Sequence, residues 1–399
     1  MKENILLLSS EPASANFAVL LISIRASYPD STIFYIFKSR NEEEYNKYNG
    51  FVDNDIHYIT YRNYIEEKYN KTFRNSNRNV LKKLVDYLYT RFFSGLGLIL
   101  NSKYEKLVIK ESLNLIDQHN IKIVFSSNNP YQAHKAIYCI SNKRSIIWNQ
   151  FWLDPLFSKP TGRYLNFKDW CKCCIERKLF TNATRILVLP EARRFDPVVS
   201  KYRDKVYEIE IPYITDKTVS QSTSDIIFAG SFVKGLREPE PVFQILKESL
   251  LTLDDDIRFV FYVKDRKLYD SIEESTAGRI VFYDYVTREE LDCILSKSAA
   301  LLSIGNINSC QMPSKVVEYI SYRKPILFFY VDPADPSFRY FNEYSSVCSF
   351  NLNDDIGLNV DKLVKFITTS HRYIDYKSLL EVSLFRKSTP EYIAKIICD

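Results

Sequence analysis

The sequence predicts an α/β protein built on two doubly wound parallel sheets. Three observations carry that reading. Short apolar, β-rich runs alternate with helical patterns along the whole chain, as repeated β–α–β units require. The length of 399 residues exceeds what one hydrophobic core serves and suggests two domains of similar size. A polar stretch of small residues, Ser220-Gln221-Ser222-Thr223-Ser224, lies near the midpoint and is the best candidate linker.

The first strand candidate, residues 4–8, follows a start (Met1-Lys2-Glu3) too acidic and too short for a signal peptide. The first half continues with candidates at 32–37, 56–61, 121–125, 145–150 and 185–189. The second half supplies 225–229, 257–263, 279–283, 299–304, 325–330 and 346–350. Each run is too short for a buried helix. At the end, Thr389 as N-cap and Pro390 at the first helical position predict a closing helix. It begins about 38 residues after the last strand, more than one sheet-covering helix needs. The expected domains are residues 1–218, residues 219–385, and a closing helix at 386–399.

Composition narrows the function. With 46% hydrophobic and 26% charged residues the chain is globular, and no apolar run is long enough to span a bilayer. Eight cysteines without regular spacing read as reduced thiols of a cytoplasmic protein. Residues 1–218 hold 33 Lys and Arg against 23 Asp and Glu, whereas residues 219–399 hold 21 against 26. A basic first half and an acidic second half imply unequal partners. Nucleic acid is not expected, because no helix-turn-helix, zinc-finger or RNP-like pattern appears. Residues 72–100 interleave Arg74, Arg78, Lys82, Lys83 and Arg91 with aromatic and leucine residues. That pattern suits a helix in a membrane interface, and equally an amphipathic core helix. The localisation expected is cytoplasmic, with peripheral contact at the inner face of the membrane as an option.

Two segments carry candidate chemistry. In Pro313-Ser314-Lys315-Val316-Val317-Glu318-Tyr319, a Ser, a Lys and a Glu occupy the first turns of a helix between two buried strands. A helix start at the strand-end edge of a sheet is a ready phosphate site, where Ser314 can cap and Lys315 can meet the anion. The bland alternative pairs Glu318 with Arg323 or Lys324 on the surface, worth roughly 0–1 kcal/mol. Asn306, after Gly305, adds a polar group to the same loop. The second segment follows strand 225–229: Gly230 and Gly235 flank Lys234, and Arg237 precedes a proline-led helix. Glycines let backbone N–H groups approach a diphosphate, and Lys and Arg neutralise it, although an ordinary βα turn has the same look.

Gly230-Ser231, Gly305-Asn306, Pro313 to Tyr319 and Arg323-Lys324-Pro325-Ile326-Leu327 together resemble the donor domain of family 4 glycosyltransferases of the GT-B fold. Tyr285-Val286-Thr287-Arg288-Glu289-Glu290-Leu291 looks like that family's nucleobase loop and helix start. The resemblance covers about 100 residues with specific motifs. It implies two Rossmann-like domains facing a central cleft, the first binding the acceptor, the second the nucleotide sugar, with the closing helix returning to the first. It further implies that Lys315 and Arg237 bind the diphosphate, with Lys264 as a second cation, Ser314 beside the phosphates, and Glu318 accepting hydrogen bonds from the ribose. The implied activity is retaining, metal-independent transfer of a sugar from a nucleoside diphosphate sugar to a hydroxyl acceptor, a polysaccharide or a lipid-linked glycan. No cofactor beyond the donor substrate is expected. Cys310 stands where the family often has a first glutamate, and Tyr262-Val263-Lys264-Asp265-Arg266 replaces a glycine-rich strand end.

In the first half, Ser126 to His134 and Asn149 to Leu156 look like the acceptor-side loops of the same family. His134 is either an active-site group or a core histidine. Asp154, before Pro155, is the first choice for an acceptor-side carboxylate, against a plain turn. Cys171, Cys173 and Cys174 lack the second ligand pair of a zinc site, and no metal site is expected. Two other classes stay open: a non-catalytic homologue serving as an assembly subunit, and a nucleotide-sugar epimerase.

Overall fold

The structure of the protein, a computed structural model, describes residues 2–39, 41–61, 103–128, 131–153, 167–190, 199–264, 266–307, 312–369 and 373–399. Two compact units make up the chain. One comprises Met1–Pro212 with Pro390–Asp399, the other Tyr213–Thr389. The division falls six residues before the expected boundary at 218, and the return falls at 390 rather than 386. The candidate linker belongs to the second unit, where the N–H groups of Ser220 and Ser222 bond the Ser296 and Lys297 carbonyls.

The first unit runs β1 (Asn4–Leu8), α1 (Ala15–Ser27), β2 (Thr32–Lys38), α2 (Glu42–Tyr48), β3 (Val52–Asp53), β4 (Ile56–Tyr61), α3 (Lys103–His119), β5 (Ile123–Ser127), α4 (Gln132–Ser141), β6 (Ile147–Trp152), α5 (Phe167–Thr181), β7 (Arg185–Val188) and β8 (Val206–Glu208). Its sheet has the order β3-β4-β2-β1-β5-β6-β7-β8. The strands are parallel except for the antiparallel β3–β4 pair. Leu6, Leu8, Val124, Trp148 and Ile186 point from the central strands into one core with Ala136, Ile137 and Phe180.

Two strands start later than the apolar runs imply, for one reason. Ile121 is buried, but its N–H still bonds the Ile116 carbonyl beyond the α3 end, after Asn120 at φ +49°. Likewise the N–H of Arg144 reaches back to Ile140, so β6 begins at Ile147 and extends through Trp152. The edge strands β3 and β8 are too short for any alternation to register in sequence. Residues 72–100 lie outside the described residues. Among the described residues no helix is long and apolar enough to cross a membrane.

The second unit runs β9 (Asp225–Ala229), α6 (Glu240–Ser249), β10 (Arg258–Tyr262), α7 (Asp270–Ser275), β11 (Ile280–Tyr283), α8 (Arg288–Lys297), β12 (Ala300–Ile304), α9 (Ser314–Ser321), β13 (Ile326–Tyr330), α10 (Phe338–Phe341), β14 (Val347–Asn351), α11 (Ile356–Thr368), α12 (Tyr376–Glu381) and α13 (Ser383–Lys387). Its sheet is parallel throughout, ordered β11-β10-β9-β12-β13-β14. An aromatic group formed by Phe228, Phe243, Phe261 and Phe282 fills one side of it, with Phe243 edge to face on both Phe261 and Phe282. The long segment after β14 is taken up by α11 to α13. The closing helix, α14 (Pro390–Cys398), packs on α1 in the first unit, with Cys398 Sγ 3.5 Å from the Ser27 carbonyl.

Candidate functional site

The loops after β9 and β12 meet where strand order reverses. From β9 the chain moves outward through β10 to β11, then returns to lay β12 on the other flank of β9. The crevice beyond the carboxyl ends of two such strands is where open parallel sheets bind ligands. In the first loop Gly235 has φ +76°, a conformation that costs glycine little, and the Arg237 N–H bonds the Val233 carbonyl at 2.7 Å. This turn carries Arg237 back toward the strand end. There Nη2 donates to Asn306 Oδ1 at 2.7 Å and Nη1 to the Ser231 carbonyl at 3.3 Å. The Ile307 N–H bonds the Leu236 carbonyl at 2.8 Å and ties the two loops together. Burial lowers the proton affinity of the guanidinium more than Tyr319, Asp335 and Tyr285 raise it. The hydrogen bonds it donates to Asn306 and Ser231 go to neutral oxygens, and among the described residues its buried Nε has no partner.

Asp335, in the loop after β13, is 3% exposed and has both oxygens committed. Oδ2 accepts from the Asn306 N–H at 2.6 Å, and Oδ1 from the Ser337 N–H at 2.7 Å. Burial raises its pKa, and the hydrogen bonds it accepts only partly offset that. A Cβ built on Gly305 would stand 2.6 Å from Oδ2. Glycine at 305 is therefore a condition of the carboxylate's approach. Gly305→Ala is expected to cost about 1–3 kcal/mol by overpacking, read as a lowered denaturant midpoint at unchanged slope.

Helix α9 supplies the third side. Pro313 at φ −69° and ψ 117° is its N-cap, Ser314 is its first helical residue, and no side chain caps it. The expected Ser314 cap is thus corrected: the proline sets how the chain enters the helix, the Val316 N–H bonds the Pro313 carbonyl at 3.0 Å, and the Ser314 and Lys315 N–H groups at the helix start have no side-chain cap and suit a ligand or water. Glu318, 2% exposed, is held between Lys315 Nζ (3.0 Å, to Oε2) and Arg288 Nη1 (2.6 Å, to Oε1). Arg288 also reaches Asp292 at 3.3 Å, which Lys217 meets at 3.1 Å and the Tyr322 hydroxyl also bonds. Burial would lower the Arg288 pKa, but Glu318 and Asp292 outweigh it and the net shift is upward. The surface pairs of Glu318 with Arg323 or Lys324 do not form. Arg323 pairs with Asp216 at 3.1 Å, and the buried Lys324 donates to the Ser220 carbonyl at 2.8 Å. The Ala229 N–H donates to the buried Tyr319 hydroxyl at 2.8 Å, which pins α9 to the end of β9.

The rest of the donor-side candidates sit at the rim. Tyr285 is exposed, its hydroxyl 2.6 Å from Ser231 Oγ, and half-buried Val286 precedes Thr287, which opens α8 with a full capping box. Gly230 bonds the Tyr262 carbonyl at 3.1 Å. Lys234 and Lys264 are exposed, and neither joins the hydrogen-bonded group. In the first unit the outcome differs. His134 is fully buried: Nδ1 lies 2.8 Å from Ser126 Oγ, and its ring stacks on Trp152 at 4.6 Å. Trp148 Nε1 donates to that same Ser126 oxygen at 2.7 Å, so His134 and Trp148 share one buried hydroxyl. Burial pushes the imidazole down to about 3. An active-site role for His134 is corrected to that of a core histidine. Asn149 and Gln150 are buried strand residues rather than loop, while Asp154 and Cys310 lie outside the described residues. Among the described residues no group of three or more His, Cys, Asp or Glu could hold a metal ion.

No protein-family model matches the chain, and no curated protein matches it. Solved structures do. The Candida albicans trehalose-6-phosphate phosphatase N-terminal domain aligns with TM-score 0.60 at 12% identity, over 100% of this chain and 96% of its own. The E. coli trehalose-6-phosphate protein bound with UDP-2-fluoro glucose aligns with TM-score 0.57 at 11% identity, over 99% and 98%. The apo lipopolysaccharide outer core galactosyltransferase WaaB aligns with TM-score 0.51 at 11% identity, over 98% and 97%. The chain has the GT-B fold. At these identities the likeness is one of fold, so the site stands on its own geometry.

Within that GT-B fold, sequence reading missed two contributors to the site. Asp335 was legible only as part of Asp332-Pro333-Ala334-Asp335-Pro336-Ser337, a turn-rich segment straight after a strand. Arg288 was read as part of a helix start, and its partner Glu318 lies 30 residues away in sequence.

Proposed function

We propose that the chain is a glycosyltransferase that moves a sugar from a nucleoside diphosphate sugar to a hydroxyl acceptor. The observation that carries this is Arg237: a half-buried guanidinium at the sheet's switch point, held by two neutral oxygens. A half-buried positive charge held in place without a carboxylate contact is poised for an incoming anion. The uncapped start of α9 and the Gly230–Ser231 turn beside it suit the same diphosphate. Glu318, fixed by Lys315 and Arg288, would accept hydrogen bonds from the ribose hydroxyls, and Tyr285 with Val286 would border the base. During transfer, negative charge grows on the departing diphosphate. Arg237, Lys315 and the α9 N–H groups would stabilise it, with no metal needed. We assign retention at the anomeric carbon on the sequence resemblance, which also points to a polysaccharide or lipid-linked acceptor. Such a mechanism needs no side-chain nucleophile, and Asp154 remains the acceptor-side candidate.

The test is a thermal-shift and calorimetric panel of UDP, GDP and their sugars. A matched nucleotide at about 100 times its Kd should stabilise the protein by about 2.7 kcal/mol. Failure of every nucleotide to bind would overturn the reading. Diphosphate release that needs an added acceptor would separate transfer from hydrolysis or epimerisation.

A further inference from the structure

We infer that Asp335 is a positioning residue for diphosphate binding, acting on Arg237 through Asn306. The inference rests on the nucleoside-diphosphate reading of this site. The bond from Ser337 to Asp335 is a local Asx turn of a common kind. The bond from Asn306 is of another kind. It spans 29 residues, joins the loop after β13 to the loop after β12, and measures 2.6 Å. Space for it exists because position 305 has no side chain. Its effect is to fix the Asn306 backbone, and so the Oδ1 that receives Arg237 Nη2 at 2.7 Å.

The arrangement solves an electrostatic problem. A half-buried guanidinium that meets only neutral oxygens is better ordered with negative charge nearby, but a carboxylate in contact would neutralise it and compete with the ligand. Asp335 supplies the charge at one remove. With both of its oxygens occupied by backbone N–H groups, it favours the cation without closing on it. Lys315 is the contrast, since Glu318 already contacts it at 3.0 Å. Arg237 is therefore the cation kept for the phosphates, and Asp335 keeps it in place.

Asp335→Asn tests this, because the amide preserves shape but must turn an NH2 toward one of the two backbone N–H groups. Calorimetry with UDP and GDP, and with uridine and guanosine, separates the diphosphate part of binding from the nucleoside part. Asp335→Asn should weaken the diphosphate that wild type binds about ten- to a hundredfold and leave its nucleoside unchanged. Asn306→Ala should show the same selective loss, and the double variant little more than either single one. If wild type binds neither UDP nor GDP, the reading of the site fails before this inference is reached. If wild type binds and Asp335→Asn binds equally, or loses nucleoside and diphosphate alike, the positioning role is wrong. Should Asp335→Asn not fold, Asn306→Ala decides: an unchanged ratio of diphosphate to nucleoside affinity overturns the relay.

Discussion

Replacing Arg237 by alanine is expected to lower kcat/KM for the sugar donor by about 10²- to 10³-fold, the usual consequence of removing one preorganised group facing developing charge. The loss should fall on kcat as well as KM, because charge on the diphosphate is greater in the transition state than in the bound donor. The fold should survive, since Arg237 sits on a loop at the strand-end edge and its removal opens no closed core. Arg237→Lys should not rescue. A single ammonium cannot satisfy Asn306 Oδ1 and the Ser231 carbonyl and still face a phosphate in the guanidinium's fixed plane. Lys315→Ala should be as damaging by a different route, because it removes a cation and also releases Glu318 from one of its two holders. Steady-state kinetics with the accepted donor, alongside circular dichroism of each variant, is the measurement. Near-wild-type turnover in Arg237→Ala would remove the central cation from the mechanism.

The sequence revealed these groups unevenly, for physical reasons. The strands of both sheets announce themselves as short apolar runs, because a parallel strand covered on both faces has little room for polar residues. Gly230 and Gly305-Asn306 were legible because they directly follow such runs, and Arg237 because it stands in the same loop just before a proline-led helix. That they meet at one switch point was not, since strand order arises from which crossovers return and leaves no local pattern. Glu318 shows the same limit. Reading outward along its helix offered Arg323 and Lys324 as partners, but Arg323 adopts φ +57° just past the helix end and turns to Asp216. The true partner, Arg288, comes from the neighbouring helix. His134 was ambiguous because a histidine before an apolar helical face looks alike in a cleft or a core. Only the layer of Trp148 and Trp152 over it decides.

That buried histidine should make the first unit less stable in acid. Burial holds the His134 pKa at about 3, against 6.5 for an exposed imidazole. Above pH 6.5 neither the folded nor the unfolded chain binds the proton, and the site contributes no pH dependence. Below pH 6.5 the unfolded chain takes up a proton that the folded one refuses, so stability falls as pH falls. The loss is complete near pH 3, where the folded form protonates too, and amounts to about 4 to 5 kcal/mol. His134→Asn keeps a group able to meet Ser126 but cannot titrate. It should cost stability at every pH by opening space beside Trp152, yet show a shallower acid limb between pH 6.5 and 3. The carboxylates of the unit are common to both proteins, so their contribution cancels in the comparison. The readout is clean because all three tryptophans, Trp148, Trp152 and Trp170, belong to the first unit. Denaturant unfolding followed by tryptophan fluorescence at stepped pH therefore reports that unit alone. Parallel acid limbs for wild type and His134→Asn would mean that the histidine takes up its proton in the folded state, and that the core assignment is wrong.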